Sequence, residues 1–80
     1  MSAADAEAHV VTADGMWEAT VKGAVITIAY QGIFWDTCQW DARAGTMYSD
    51  APAHYTGPDI TDMAPEIWRE LEGRLARHFL

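Results

Sequence analysis

Residues 16–40 constrain the fold most, because they divide into three short runs of β-branched and aromatic residues with a glycine between them. The runs read MWEATV, AVITIAY and IFWDTCQW, and the dipeptides Lys22-Gly23 and Gln31-Gly32 separate them. Such residues favour strands, and glycine readily adopts the positive φ that tight hairpin turns require. The pattern therefore predicts three antiparallel strands joined by two-residue turns.

Two-residue turns at these dipeptides would pair Val21 with Ala24 and Tyr30 with Ile33. One face of the sheet then carries a largely apolar set, which we expect to be the core face: Trp17, Ala19, Val21, Ala24, Ile26, Ile28, Tyr30, Ile33 and Trp35. The other face is mixed: Glu18, Thr20, Val25, Thr27, Ala29, Phe34, Asp36, Cys38 and Trp40. Lys-Gly and Gln-Gly are weaker turn signals than Asp-Gly, so a longer turn at either place would shift the register.

The residues before and after this segment extend the sheet. Residues 1–8 are small and acidic, and we expect a flexible N-terminus there. Residues 9–13 followed by Asp14-Gly15 predict another strand and hairpin, which places Val11 beside Glu18. A short edge strand is predicted near residues 46–48, so the sheet spans residues 9–48. Two prolines and a glycine make residues 49–60 a loop.

Residues 61–79 predict one C-terminal α-helix, with Thr61 or Asp62 as its N-cap and Pro65 in its first turn. Helical spacing places a mainly apolar set of side chains on one face of the helix: Ala64, Ile67, Trp68, Leu71, Leu75, His78 and Phe79. We expect this face to pack against Ile26, Ile28 and Trp35. The predicted fold class is α+β, a single domain over residues 1–80 in which a four- or five-stranded antiparallel meander packs on one helix as a two-layer sandwich.

The charge of the chain restricts its partners. Five basic and twelve acidic residues give a net charge of −7, and nine of the acids but only two of the bases precede residue 63. Such a chain is repelled by nucleic acid and anionic membranes, and it attracts basic proteins. The acidity could equally serve only to keep an aromatic-rich protein soluble. The acidic start is unlike a signal peptide, and no apolar run reaches the ~20 residues of a membrane span, so we expect a soluble cytoplasmic protein.

Residues capable of catalysis or metal binding are present without the spacing that such chemistry needs. Cys38 is the single cysteine, so no intramolecular disulfide forms, and it lies mid-strand with no nearby cation to lower its pKa. His9, His54 and His78 are far apart in sequence and form no zinc motif. The sequence therefore predicts no catalytic residues, no metal, no cofactor and no enzymatic activity.

The mixed face predicts a binding surface. In the proposed register Glu18, Thr27 and Asp36 form a row across three strands, next to the aromatic side chains of Phe34 and Trp40. Asp41 follows at the strand end. Acids beside exposed aromatics are typical of protein-binding surfaces, so the predicted partner-binding residues are Glu18, Phe34, Asp36, Trp40 and Asp41. Two alternatives remain: the acids only hydrate the outer face, or the face is a homodimer interface.

One resemblance adds to this interpretation. The segment DITDMAPEIWRELE, residues 59–72, is similar to the ends of many small phage and mobile-element proteins. The small, acidic, aromatic-rich chain as a whole resembles phage-encoded anti-CRISPR proteins, a group without a shared sequence signature. The resemblance implies an inhibitor that occupies the basic nucleic-acid-binding surface of a CRISPR effector complex in the host cytoplasm. The alternative is a small structural or assembly protein of a phage, or a homo-oligomeric interaction module.

Overall fold

The computed structural model describes residues 7–52 and 54–79, which form one antiparallel sheet and one α-helix. The strands are Ala8–Val11 (β1), Trp17–Lys22 (β2), Val25–Tyr30 (β3), Ile33–Asp41 (β4) and Thr46–Ser49 (β5), and they neighbour one another in chain order. A 3₁₀ turn at Ile60–Asp62 precedes the helix Pro65–Phe79 (α1). The predicted α+β two-layer arrangement is confirmed, with five strands. Of the predicted flexible N-terminus, residues 1–6 lie outside the described residues, and Ala8 belongs to β1.

The strand register is partly as predicted. Val11 pairs with Glu18, and Tyr30 pairs with Ile33, both as expected. The β2–β3 turn consists of Gly23 and Ala24 instead of Lys22 and Gly23, so Val21 pairs with Ile26. Gly23 has φ +61° at the first turn position, where a type II′ turn requires glycine. The shift is two residues, so β2 and β3 keep their predicted faces.

A β-bulge in β4 overturns the predicted faces beyond Phe34. Phe34 pairs with Ala29, but Ile28 pairs with Asp36, so Trp35 is an extra residue in the ladder. An extra residue inverts the alternation of the strand that follows it. Asp36, Cys38 and Trp40 therefore lie on the core face, not on the outer face.

The buried core lies between the sheet and α1. Leu71 and Leu75 of the helix are fully buried, as predicted, with Ile26 and Ile28 of the sheet. The core also includes Ala19, Val21, Cys38, Met47, Ile60 and Met63. Ala64 and His78, which were predicted on the apolar helix face, are exposed.

The start of the helix differs from the prediction. Thr61 and Asp62 belong to the 3₁₀ turn, in which the side chain of Asp59 accepts from Thr61 N and the side chain of Asp62 accepts from Asp59 N. These reciprocal bonds form a capping box around the short turn. The regular α-helix begins only at Pro65, where proline is well suited to the first helical position.

Both edges of the sheet contact the helix. The backbone N–H of Ala13, after β1, donates to Glu70 Oε2 at 2.6 Å, and that of Met47 in β5 donates to Glu72 Oε2 at 2.8 Å. Since β1 and β5 are the opposite edges, α1 contacts the sheet across its whole width. Among the described residues, no helix has the length and apolar character needed to cross a membrane.

Candidate functional site

The structure separates the five residues that the sequence predicted as a binding site. Glu18 and Phe34 lie on the outer face, in a row of paired residues that runs from Val11 through Glu18 and Ala29 to Phe34. Glu18 and Phe34 are two strands apart, about 10 Å at the usual strand spacing. The predicted row of Glu18, Thr27 and Asp36 does not form, because Thr27 pairs with Thr37.

The other three predicted residues, Asp36, Trp40 and Asp41, form contacts within the fold. Asp36 is only 3% exposed, and its carboxylate accepts from Thr37 N at 2.7 Å and Ile60 N at 3.0 Å. Trp40 packs against the core and stacks on Phe79, with ring centroids 5.0 Å apart. The carboxylate of Asp41 accepts from the N–H groups of Arg43 and Ala44 in the β4–β5 turn. Asp41 also ends β4, at the opposite end of the strand from Phe34.

Large apolar side chains are exposed where the β3–β4 hairpin turns. Ile33 is 71% exposed, Phe34 58% and Met16 42%, and we name these three residues the hairpin-end patch. Met16 is held beside the hairpin because its carbonyl accepts from Gln31 N at 2.7 Å. The hydroxyl of Tyr30 also lies 3.7 Å from its sulfur. The patch is therefore built on a strand pair and its turn, which fix its position.

A cleft of about 280 Å³ adjoins Phe34 and extends the patch toward the loop after β5. We name it the Phe34–Tyr55 cleft; its lining residues are Phe34, Asp36, Thr37, Asp50, Ala51, Pro52 and Tyr55. Tyr55 is positioned by two bonds within the loop, from its N–H to Pro52 O and from its hydroxyl to Pro58 O, each 2.9 Å. Gly57 makes room for the ring, since a Cβ there would lie 2.6 Å from Tyr55 Cζ.

Carboxylates surround this apolar surface. Asp14 lies in the loop beside Met16, Glu18 is in the same cross-strand row as Phe34, and Asp50 lines the cleft. Lys22 and Arg43 lie at the opposite end of the strands, and the three arginines at positions 69, 74 and 77 are on α1, which packs on the other face of the sheet. Phe34 lies on the outer face, whereas Ile33, which pairs with Tyr30, lies on the core-face side beyond the end of the core. The hairpin end of the sheet thus presents exposed apolar side chains with an acidic border.

Most carboxylates in the described residues accept a hydrogen bond from a backbone N–H, namely those of Glu7, Asp14, Asp36, Asp41, Asp59, Asp62, Glu70 and Glu72. These bonds satisfy the oxygens without neutralising the charge. Within residues 7–52 and 54–79, Glu70 pairs with Arg74 at 3.2 Å, and Glu18 and Glu7 lie 2.8 and 3.7 Å from the ring nitrogens of His9 and His78. With nine acidic and two basic residues before position 63, the sheet and its loops keep a net negative charge that can attract a basic partner.

The environment of Cys38 opposes nucleophilic chemistry. Burial, followed by the nearby carboxylates of Asp36, Asp50 and Asp59, raises the pKa of its thiol to about 12. The thiolate, which is the reactive form, is therefore not populated near neutral pH. In the part of the chain that the structure describes, no three His, Cys, Asp or Glu side chains are grouped closely enough to hold a metal ion.

Of the residues in this candidate site, the sequence had predicted Phe34 and Glu18 but not Ile33, Asp50 and Tyr55. The predicted pairing of Ile33 with Tyr30 was correct, and it placed Ile33 on the core face. At this end of the strand, however, the core does not extend as far as Ile33, and its side chain is exposed. Tyr55 stands between two prolines and before Gly57, a composition that indicates only a loop.

No protein-family model, curated protein or solved structure matches the chain.

Proposed function

We propose that this chain is an acidic protein-binding inhibitor, which docks its hairpin-end patch and acidic border on a basic nucleic-acid-binding surface. The partner we propose is a CRISPR effector complex. Such a complex holds its guide and target strands in positively charged channels, and these channels interact mainly with backbone charge. A folded domain that presents carboxylates around an apolar centre can compete for the same surface.

The observation that carries this proposal is the combination of exposed apolar side chains with a border of carboxylates. Ile33, which is 71% exposed, is next to Phe34 in β4, and Met16 is hydrogen-bonded to the same hairpin, whereas scattered single apolar residues would need no explanation. Protein interfaces typically have an apolar centre and a polar rim. The patch would then supply affinity, and the carboxylates would supply steering and partner choice.

The test compares single variants of the patch and its border in binding to purified CRISPR effector complexes. Ile33→Ser should weaken equilibrium binding by about tenfold or more, since central apolar anchors dominate interface energies. Glu18→Gln should slow association at low salt and matter less at high salt, because exposed charges are screened. Association and dissociation rates measured by surface plasmon resonance at two salt concentrations separate these effects.

Two matched controls accompany these variants. Tyr48→Ser removes an exposed aromatic side chain of the outer face, in the row of Lys22, Val25 and Gln39 at the other end of the strands. Glu66→Gln removes one charge from α1. Neither should alter binding. If the parent binds no effector complex of any type, or if the controls weaken binding as much as the test variants, the inhibitor proposal fails.

The same patch would serve the alternative function, a homo-oligomeric interaction or assembly module. Sedimentation of the parent and of Ile33→Ser distinguishes the two uses. A dimer in the parent that Ile33→Ser dissociates, together with no effector binding, would replace the inhibitor proposal by the homo-oligomeric one.

A further inference from the structure

The Phe34–Tyr55 cleft combines two aromatic walls with two carboxylates. Phe34 and Tyr55 are both exposed aromatic residues at its border, and Asp36 and Asp50 contribute to its lining. Neither carboxylate forms a salt bridge with a cation of the described residues. The carboxylate of Asp50 accepts only from the neutral amide of Gln39, at 3.2 Å, among the hydrogen bonds within those residues.

The size of the cleft limits what it can hold. At about 280 Å³ it lies just below the range of roughly 300–1,000 Å³ that is usual for pockets of drug-sized ligands and cofactors. One long side chain of a protein partner matches this space better than a cofactor does. An occupant of the cleft would also contact the hairpin-end patch, because Phe34 belongs to both.

The charge of the cleft selects a cation. Asp36 is almost fully buried, and its two oxygens each accept one backbone hydrogen bond, which leaves its negative charge uncompensated. Asp50 adds a second carboxylate, and Asp59 lies close enough that all three raise the pKa of the nearby Cys38 thiol. A positive group that enters the cleft is therefore attracted by several carboxylates at once, in surroundings that screen charge less than bulk water does.

We propose that the Phe34–Tyr55 cleft binds the guanidinium group of an arginine side chain presented by the protein partner. Its planar face can stack on an aromatic ring, while its N–H groups donate to Asp50. Lysine offers a more strongly hydrated point charge without a stacking plane, so it should bind less well. This inference rests on the proposed function, because it specifies the chemistry by which the inhibitor recognises its basic partner.

The direct test titrates ¹⁵N-labelled protein with the peptide acetyl-Gly-Arg-Gly-Arg-Gly-amide and follows the amide resonances. Saturable shifts are expected at residues of the cleft, such as Phe34, Thr37 and Ala51. Lysine in place of arginine should weaken binding about three- to tenfold, the range expected for lost stacking. Citrulline, which has nearly the same shape but no charge, should abolish it. Equal binding of the arginine and citrulline peptides would overturn the proposal.

Two variants test the cleft itself. Asp50→Asn removes one charge without changing the shape of the side chain. Gly57→Ala places a Cβ where the Tyr55 ring packs, so the ring must move. Each variant should bind the arginine peptide at least about threefold more weakly than the parent does, whereas Glu66→Gln should bind it as tightly as the parent. The amide spectrum of each variant reports that it is folded. If Asp50→Asn binds the peptide as tightly as the parent does, the inference fails.

The same variants separate this inference from the proposed function. If Ile33→Ser loses effector binding while Asp50→Asn and Gly57→Ala retain it, the inhibitor proposal holds and the arginine cleft does not. If the parent binds the arginine peptide in the cleft but binds no effector complex, the cleft is confirmed and the partner must be another arginine-bearing protein.

Discussion

At the scale of single residues, the aspartates of this chain organise its turns. Asp14, Asp41 and Asp59 each accept from the backbone N–H two residues further along the chain. Aspartate and asparagine are favoured in such turns because a short side chain reaches the local backbone. The Thr12 hydroxyl and the Met16 N–H also lower the pKa of Asp14. Charge at these positions is best tested with asparagine, which removes the charge and keeps the acceptor.

The raised pKa of Cys38 predicts that the fold becomes less stable at high pH. In the unfolded chain the thiol loses its proton near its ordinary pKa of 9.0, whereas the folded chain retains it up to about 12. Between these values the folded state binds more protons, so the free energy of unfolding falls as the pH rises; below pH 8 the group has no effect. Cys38→Ala removes this contribution.

Urea unfolding of the parent and of Cys38→Ala, at pH 8 and pH 10.5, measures the difference. The parent should lose more stability between the two pH values than the alanine variant does, because the two proteins differ only at residue 38. Equal losses would mean that the thiolate forms in the folded protein as easily as in the unfolded chain.

At the scale of elements, the β3–β4 hairpin explains which parts of the fold the sequence could predict. The turn at Gln31-Gly32 and the Tyr30–Ile33 pair follow from local turn chemistry, which the sequence records. The bulge at Trp35 does not follow from local turn chemistry, because contacts with residues far along the chain hold it. Trp35 Nε1 donates to Asp59 O at 2.8 Å, and Ile60 N donates to the Asp36 carboxylate.

These contacts join residues 24 positions apart, and no local pattern indicates them. The bulge also determines which side chains of β4 can contribute to the candidate site. It turns Asp36, Cys38 and Trp40 inward while Phe34 remains outside. An alternating strand pattern therefore predicted the existence of β4 and the outward position of Phe34, but it assigned the faces of the second half wrongly.

The same hairpin contains a strained position. Gln31 has φ +50° and precedes Gly32 at φ +80°, so both central residues of a type I′ turn are left-handed. Asparagine tolerates this conformation much better than glutamine does. Gln31→Asn should therefore stabilise the protein by about 0.5–1 kcal/mol, or a few degrees in Tm for a domain of this size. Gln31→Ala, which keeps the strain, is the control in thermal unfolding, and equal Tm values for the two variants would contradict the explanation.

At the scale of the whole molecule, α1 both covers the core and protects the β5 edge of the sheet. An unpaired edge strand is a template for association with another chain. Here Glu72 accepts from Met47 N and the Thr46 hydroxyl in β5, and Glu70 accepts from Ala13 N in the loop after β1. Glu72 thus occupies a backbone donor of the edge strand β5, and Glu70 holds the loop next to the opposite edge. The acidity of α1 therefore has a structural role, which differs from the proposed binding role of the carboxylates on the outer face.

This arrangement predicts a specific effect of removing Glu72. Glu72→Ala leaves the Met47 N–H without its carboxylate partner, which should cost about 1–3 kcal/mol of folding free energy. The exposed β5 edge should also increase self-association. Glu66→Ala is the matched control, since Glu66 is an exposed acid on the same helix for which the described residues provide no hydrogen-bond partner. Urea unfolding measures the stability, and light scattering against protein concentration measures the association. If both variants unfold at the same urea concentration and scatter equally, Glu72 does not protect the edge, and the packing of α1 on the core is what holds β5 in place.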